Sequence, residues 1–422
     1  MPRVLPRVLL VAATTGYQTR SFTAAARRLG IDVTLATDRC HVLEDPWRDN
    51  AIPVRFEEPG LAAEALGDCV VDGIVAVADR PTLVAALTAQ KLGLPYHSPQ
   101  AVAACRDKHW MREILGTAGL PVPENFRAAL NRDPREIARD AYFPCVLKPL
   151  GLSASRGVIR ANSAAEFVAA FDRIRRILEQ PDIRQSHEEW NPGINDAIQI
   201  ERYIEGREFA LEGLMTRGDL NVLAIFDKPD PLEGPFFEET IYVTPSRESG
   251  AIKDAIVDTT RRAVRALGLQ HGPVHAEMRV NAQGVYMLEV AARPIGGLCA
   301  RALKFTGGLT LEEVVILHAV GNMPDGLTLS RPALGVMMIP VPRAGVYQSV
   351  TGIEDALRTE GVDDVVITAK VGQKLVPLPE GASYTGFIFA GGNDAAAVET
   401  SLRTAHSRLR FEIFATLDVI PV

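Results

Sequence analysis

Two glutamates on either side of a short turn carry the most specific chemistry in the chain. They lie in HAEMRVNAQGVYMLEVAARP, residues 275–294, where apolar and polar residues alternate around NAQG. That period reads as a β-hairpin. Ala276, Met278 and Val280 form one apolar face, and Tyr286, Leu288 and Val290 form the other. The faces coincide when Met278 opposes Leu288 and Val280 opposes Tyr286. Glu277 then stands directly across from Glu289, with Cβ atoms about 5 Å apart. Two carboxylates so placed repel, and one has a raised pKa unless a cation sits between them. Hard oxygen ligands with little else suit Mg²⁺, with Mn²⁺ as an alternative, and Mg²⁺ also holds phosphates. The plainer reading is two charges on a solvated sheet face. Arg293 follows on the Glu289 side, and Gly296 and Gly297 leave backbone open beside it. A guanidinium there suits a phosphoryl or carboxylate group.

A second stretch, FPCVLKPLGLSASRGVI at 143–159, places Lys148 at the end of an apolar run, before a Gly/Ser loop. The common phosphate loop needs G-x-x-x-x-G-K-[ST] leading into a helix. Here the lysine precedes the loop and β-branched residues follow it, so the loop joins two strands. Ser153, Ser155 and Gly157 can offer backbone N–H groups to phosphate oxygens, as a nest does. Taken alone, strand-end lysines are often only solvated and Gly/Ser loops are often only linkers. Lys108 beside Asp107 reads first as a surface ion pair on a helix. Glu201 and Glu208 flank Gly206 in ERYIEGREF, where they either meet one ligand edge or stay exposed. His275 shares the Glu277 face and is either a hydrogen-bond donor behind a ligand or a substrate contact. His187, in a polar tract, reads as a surface residue, and the absence of G-x-S-x-G excludes that class of serine hydrolase.

The elements that position these residues follow the same periodicities. VLLVAA, IDVTLATD and DGIVAVAD read as strands separated by helices, the start of a doubly wound α/β layer. No G-x-G-x-x-G follows the first strand, which argues against a dinucleotide oxidoreductase. Residues 98–119 read as one helix. Ser163 and Glu166 form a capping box for a helix striped with Phe167, Phe171, Ile174 and Leu178. The tract 181–196 reads as a mobile excursion. Further strands and a helix lead to the hairpin, and from about 331 short strands and turns take over. The division expected is an N-terminal α/β domain at 1–105, a central region at 106–330 and a C-terminal α+β domain at 331–422. The central region splits into a lid at about 141–205 and a metal and substrate part at about 206–330. A length of 422 residues supports several domains. The net charge of −7 argues against nucleic acid as the main partner, and no membrane span is evident. Five scattered cysteines without C-x-x-C spacing fit a reducing cytoplasm.

Together these stretches resemble the ATP-grasp superfamily, over nearly the whole chain. The resemblance runs through DK at 107–108, VLKPLGLSASRGV at 146–158, IERYIEGREF at 200–209, HAEMRV at 275–280 and LEVAARPIGG at 288–297. It implies a Rossmann-like N-terminal domain, a small mobile lid and a C-terminal α+β region. It implies that Lys108 and Lys148 hold the α- and β-phosphates of ATP. Glu201, with the backbone of Tyr203 and Ile204, would meet the adenine edge, and Glu208 the ribose. Glu277 and Glu289 would bind Mg²⁺, and Arg293 the transferring phosphoryl group. The sequence departs from the family in two places: Ala291 stands where many members have Asn, and Ala154 where Gly is frequent. The first implies a second metal held less tightly, or by Glu289 bridging, and the second restricts φ in the loop.

Within the superfamily, DKPDPLEGPFFEETIYVTPS and GPVHAEM resemble the L-amino-acid ligases of the bacilysin-type dipeptide synthetases. That implies a ligase that activates a carboxylate as an acylphosphate and couples it to an amine. Lys228, Phe237 and Glu239 are then expected in the substrate pocket, and a homodimer is possible at the family level. The alternatives are an ATP-grasp carboxylase that activates bicarbonate and a non-catalytic nucleotide-binding protein.

Overall fold

The first apolar run forms a buried parallel strand, Arg7–Ala12, in a sheet with Asp32–Thr37, Ile52–Pro53 and Gly73–Val77. The computed structural model describes residues 5–13, 18–38, 51–184 and 191–415. His187, and the turn at 14–17, lie outside the described residues. Helix Thr82–Leu92 ends at Gly93, whose φ of 68° is open to a residue without Cβ. The expected helix over 98–119 is two helices, Pro99–Arg106 and Lys108–Thr117. The chain breaks at Asp107, which is extended, and its carboxylate caps the second helix by accepting from the N–H groups of His109 and Trp110.

A small antiparallel sheet has the order Asn125–Ala129, Ala197–Arg202, Cys145–Pro149, Ile159–Ala161. Helix Ala164–Leu178 packs on it through the four striped residues together with Ala170 and Ile177. Ser163 caps that helix, while Glu166 reaches back to the Asn162 N–H rather than closing the box on Ser163. The lid sheet therefore begins at Asn125, before the boundary expected near 141.

The main sheet is antiparallel and eight-stranded. It runs from the hairpin Gly284–Ala291 and Gly272–Asn281 through Arg207–Thr216, Asp219–Asp227 and Ile241–Thr244. It continues without interruption through Ala333–Ile339, Gly386–Gly392 and Val362–Ile367. The sheet thus crosses the boundary expected at 331. One buried cluster joins Leu10 and Val75 of the N-terminal sheet to Phe226, Val336 and Phe387 of the main sheet. Each large apolar side chain so buried contributes about 2 kcal/mol. Among the described residues no helix is long and apolar enough to cross a membrane.

Candidate active site

Lys148 and Glu201 meet because their strands pair. Lys148 opposes Gln199 and Val146 opposes Glu201, which makes Lys148 and Glu201 diagonal neighbours on one face. Lys148 Nζ stands 2.6 Å from Glu201 Oε2, and Arg112 Nε stands 2.8 Å from Oε1. Burial alone would push the Glu201 carboxyl up, but Arg112 and Lys148 hold it down to about 2. Arg112 also donates to the Leu288 carbonyl at 2.6 Å. The sequence reading missed Arg112, although it sits one helical turn after Lys108 and so shares its face. Among the described residues Lys108 pairs with no surface acid. Its ammonium donates to the Leu152 carbonyl at 2.7 Å, inside the site.

The Gly/Ser loop joins two strands, as its composition suggests. Ala154 and Ser155 take φ of 54° and 55°, left-handed values that L-residues adopt at a cost. Ala154 thus adopts the conformation that Gly would supply. Gly157 departs from the expectation: its N–H donates to the Pro379 carbonyl at 2.9 Å, so it is not offered to phosphate. Its φ of 75°, and a Cβ that would stand 2.7 Å from Pro149, explain why Gly is there.

Two cavities adjoin at this loop. The first has about 780 Å³ of open space and is lined by Lys108, Lys148, Tyr203, Ile204, Phe237 and Arg279, among others. Tyr203 N–H donates to the Pro144 carbonyl, and the Ile204 carbonyl accepts from Arg279 at 2.9 Å. The Tyr203 carbonyl and the Ile204 N–H carry no other bond among the described residues, which suits a donor–acceptor base edge. Glu208 accepts from Lys228 at 2.8 Å and Arg279 at 3.0 Å, and its carboxylate keeps lone pairs for hydroxyls. Arg279, buried and bonded to the Tyr203 hydroxyl at 2.8 Å, was also missed. It lies two residues past Glu277, on the same face of a regular strand, so period-2 reading would have found it.

The hairpin register holds at the glutamates and shifts beyond them. Glu277 opposes Glu289, but Met278 pairs with Met287 and Val280 with Val285, across a bulge. Val285 and Met287 are therefore the core residues, in place of Tyr286 and Leu288. The bulge turns the neighbours Leu288 and Glu289 both into the first cavity. Glu289 accepts no hydrogen bond from a described residue, and it and Glu277 line both cavities. An unclaimed carboxylate facing a second across one register pair is a donor set that fits Mg²⁺. Ala291 is buried opposite His275 and offers no ligand.

Lys228, expected against substrate, is instead buried beneath the carboxylates. Its ammonium pairs with Glu208, with Glu239, and with Glu277 at 3.4 Å, and it lines neither cavity. Glu239 does line both cavities. Burial and the Glu277 charge push it up to about 7. His275 has both ring nitrogens engaged, Nδ1 with Glu212 at 3.0 Å and Nε2 with Glu277 at 3.3 Å. Burial pulls it down, but those bonds lift it to about 9; it orients Glu277 and also lines the second cavity.

The second cavity has about 1390 Å³ of open space and contains Arg293, Gly296, Gly297 and Tyr384. Arg293 donates through Nε to Asp79, just past the N-terminal sheet, at 2.6 Å and through one terminal nitrogen to the Pro294 carbonyl at 2.9 Å. Its remaining nitrogen carries no bond among the described residues. Asp79 follows Ala78, whose φ is 75°, at the end of strand Gly73–Val77.

Comparison with known proteins agrees with the fold. Residues 141–302 match the ATP-grasp domain, 23–96 the ATP-grasp N-terminal domain and 337–413 the L-amino acid ligase C-terminal domain 2. The chain is an ATP-grasp protein that resembles the L-amino acid ligases. The crystal structure of an L-amino acid ligase from Bacillus licheniformis superposes with a TM-score of 0.77 at 24% identity, covering 97% of this chain and 99% of that one. An uncharacterised Sinorhizobium fredii protein is 24% identical over 98% of this ATP-grasp chain and 84% of its own length. The alanine–anticapsin ligase of Bacillus subtilis is 28% identical over 58% of this chain, a match that spans 53% of that ligase.

Proposed function

We propose that the chain is an ATP-dependent carboxylate–amine ligase acting on small molecules, with an amino acid as the activated substrate. One observation carries the reading: Ser153, Ala154, Ser155, Glu239, Glu277 and Glu289 form the wall shared by the two cavities. A nucleotide in the first cavity and a carboxylate in the second would face each other across the phosphate loop and the glutamates. The names of relatives support it, since an alanine–anticapsin ligase and a dapdiamide A synthase align with this chain.

A substrate carboxylate oxygen attacks the γ-phosphorus, the bond to the β,γ-bridging oxygen breaks, and ADP leaves behind an acylphosphate. Lys108 and Lys148 offset charge on the phosphate oxygens. Glu277 and Glu289 would hold Mg²⁺, which supplies charge neutralisation at those oxygens when bound. The amine nitrogen then attacks the acyl carbon, phosphate leaves, and the nitrogen gives up its proton. Arg293 lines the second cavity, where its guanidinium would stabilise the oxyanion. Closure of the small sheet over the nucleotide would keep water from the acylphosphate.

The test is a matrix of amino-acid and amine pairs assayed for phosphate release, with products identified by mass spectrometry. Amino-acid-dependent ADP formation with a matching amide product is the expected result. Release driven by bicarbonate, or none with any pair, would overturn the reading.

A further inference from the structure

The C-terminal part of the chain reaches back onto the phosphate hairpin through a strap at 376–384, between strands Lys374–Leu375 and Gly386–Gly392. The Pro379 carbonyl accepts the Gly157 N–H at 2.9 Å. The Glu380 carbonyl accepts from Arg156 Nε at 2.9 Å. The Glu380 carboxylate takes Arg173, on the lid helix, in a fork of 2.6 and 2.8 Å. The guanidinium of Arg173 lies 4.9 Å from the centre of the Phe236 ring. The turn is shaped for this contact: Gly381 donates to the Pro377 carbonyl at 3.0 Å, and a Cβ at 381 would stand 1.7 Å from the Val376 carbonyl oxygen. Just beyond, Ala382 and Tyr384 line the second cavity. One segment therefore touches the phosphate hairpin on one side and the proposed substrate cavity on the other.

We propose that Glu380 is a positioning residue for the phosphate hairpin, and that the strap couples occupancy of the second cavity to nucleotide binding. The proposal rests on the reading that the second cavity takes an amino acid. The route is mechanical. A ligand against Ala382 and Tyr384 holds the strap, and the strap holds Arg156, Gly157 and Arg173. The backbone N–H groups of 153–155 are then fixed before phosphate arrives. A half-exposed ion pair alone adds little. This one is bidentate and is flanked by two bonds to strap carbonyls, which fixes its geometry. Coupling of this kind is reciprocal between the two ligands.

The test measures the affinity of magnesium–AMP-PNP, a non-hydrolysable ATP analogue, by calorimetry. The proteins are wild type, Glu380→Ala, Arg173→Ala and the charge swap Arg173→Glu with Glu380→Arg. The single variants should bind the analogue about 5-fold more weakly or worse, and the swap should recover most of that loss. An equimolar mixture of the proteinogenic L-amino acids should tighten analogue binding to wild type and the swap, but not to the single variants. Circular dichroism and thermal melts report folding, and two independent single variants guard against one that misfolds. Four folded proteins with equal affinity, or a swap no better than the singles, would overturn the proposal while leaving the ligase reading standing. A wild type that binds no analogue would overturn both.

Discussion

Glu201 sets how Lys148 is held. Its carboxylate balances two buried cations, Lys148 and Arg112. Glu201→Gln leaves both without a counter-charge, which costs about 3–5 kcal/mol for a buried pair. Urea unfolding should show that loss, whereas a change below about 1 kcal/mol would mean the triad is solvated in solution. The same group predicts acid sensitivity. Its carboxyl falls from 4.5 to about 2 on folding, so its stabilisation is full above pH 4.5 and is lost as pH falls toward 2. The shift corresponds to about 3 kcal/mol as an upper figure. Glu201→Gln should flatten that stretch of the stability–pH curve, and a parallel curve would contradict the assignment. Under the proposed function, Glu289 serves the chemistry instead. With no described hydrogen-bond partner of its own, Glu289→Gln should leave unfolding within about 0.5 kcal/mol of wild type. ADP release should fall at least 100-fold, as for loss of a metal ligand's charge (roughly 3 kcal/mol of barrier). Turnover near wild type in a magnesium-dependent assay would remove Glu289 from the metal site.

At the scale of elements, the phosphate hairpin stores its strain in Ala154 and Ser155. Ala154→Gly relieves a left-handed alanine but gives the unfolded chain more freedom, so the net gain should be at most about 1 kcal/mol. Ala154→Val, β-branched at positive φ, should instead lose roughly 2 kcal/mol and weaken nucleotide binding. Equal stability of the two variants would show that the loop is not left-handed in solution. The hairpin also shows what a sequence can and cannot reveal. Alternation carries the facing of Glu277 and Glu289, because register follows the buried face. The bulge beside them was invisible, since one extra residue preserves an apolar pattern on either reading and Leu288 is as apolar as Met287. Lys148 and its loop were legible from local composition. Arg112 and Arg279 lay within reach of the helix and strand periods, but the burial of Lys228 did not, because it depends on acids brought from distant strands. Gly157 looked like a phosphate donor because glycine in a loop signals conformation, not which partner claims its N–H.

At the scale of the molecule, composition shifts suggested a C-terminal domain from 331, yet the backbone ladder passes straight through that point. Strand Ile241–Thr244 pairs with Ala333–Ile339, which pairs with Gly386–Gly392. Turn-rich sequence marks loops, and loops do not separate cores. Val336, Met338, Phe387 and Phe389 sit in the same cluster as Leu10 and Val75. A chain ending at residue 330 would lose those four side chains, roughly 8 kcal/mol of burial, which is comparable to the whole stability of a typical protein. It would also leave Ile241–Thr244 as an open apolar edge, prone to pairing with other chains. The expected outcome is that the 1–330 fragment shows no cooperative melt and aggregates. A fragment that melts cooperatively and binds the ATP analogue would mean that the last three strands of the main sheet are an appendage to the nucleotide site, not a part of the body that holds it.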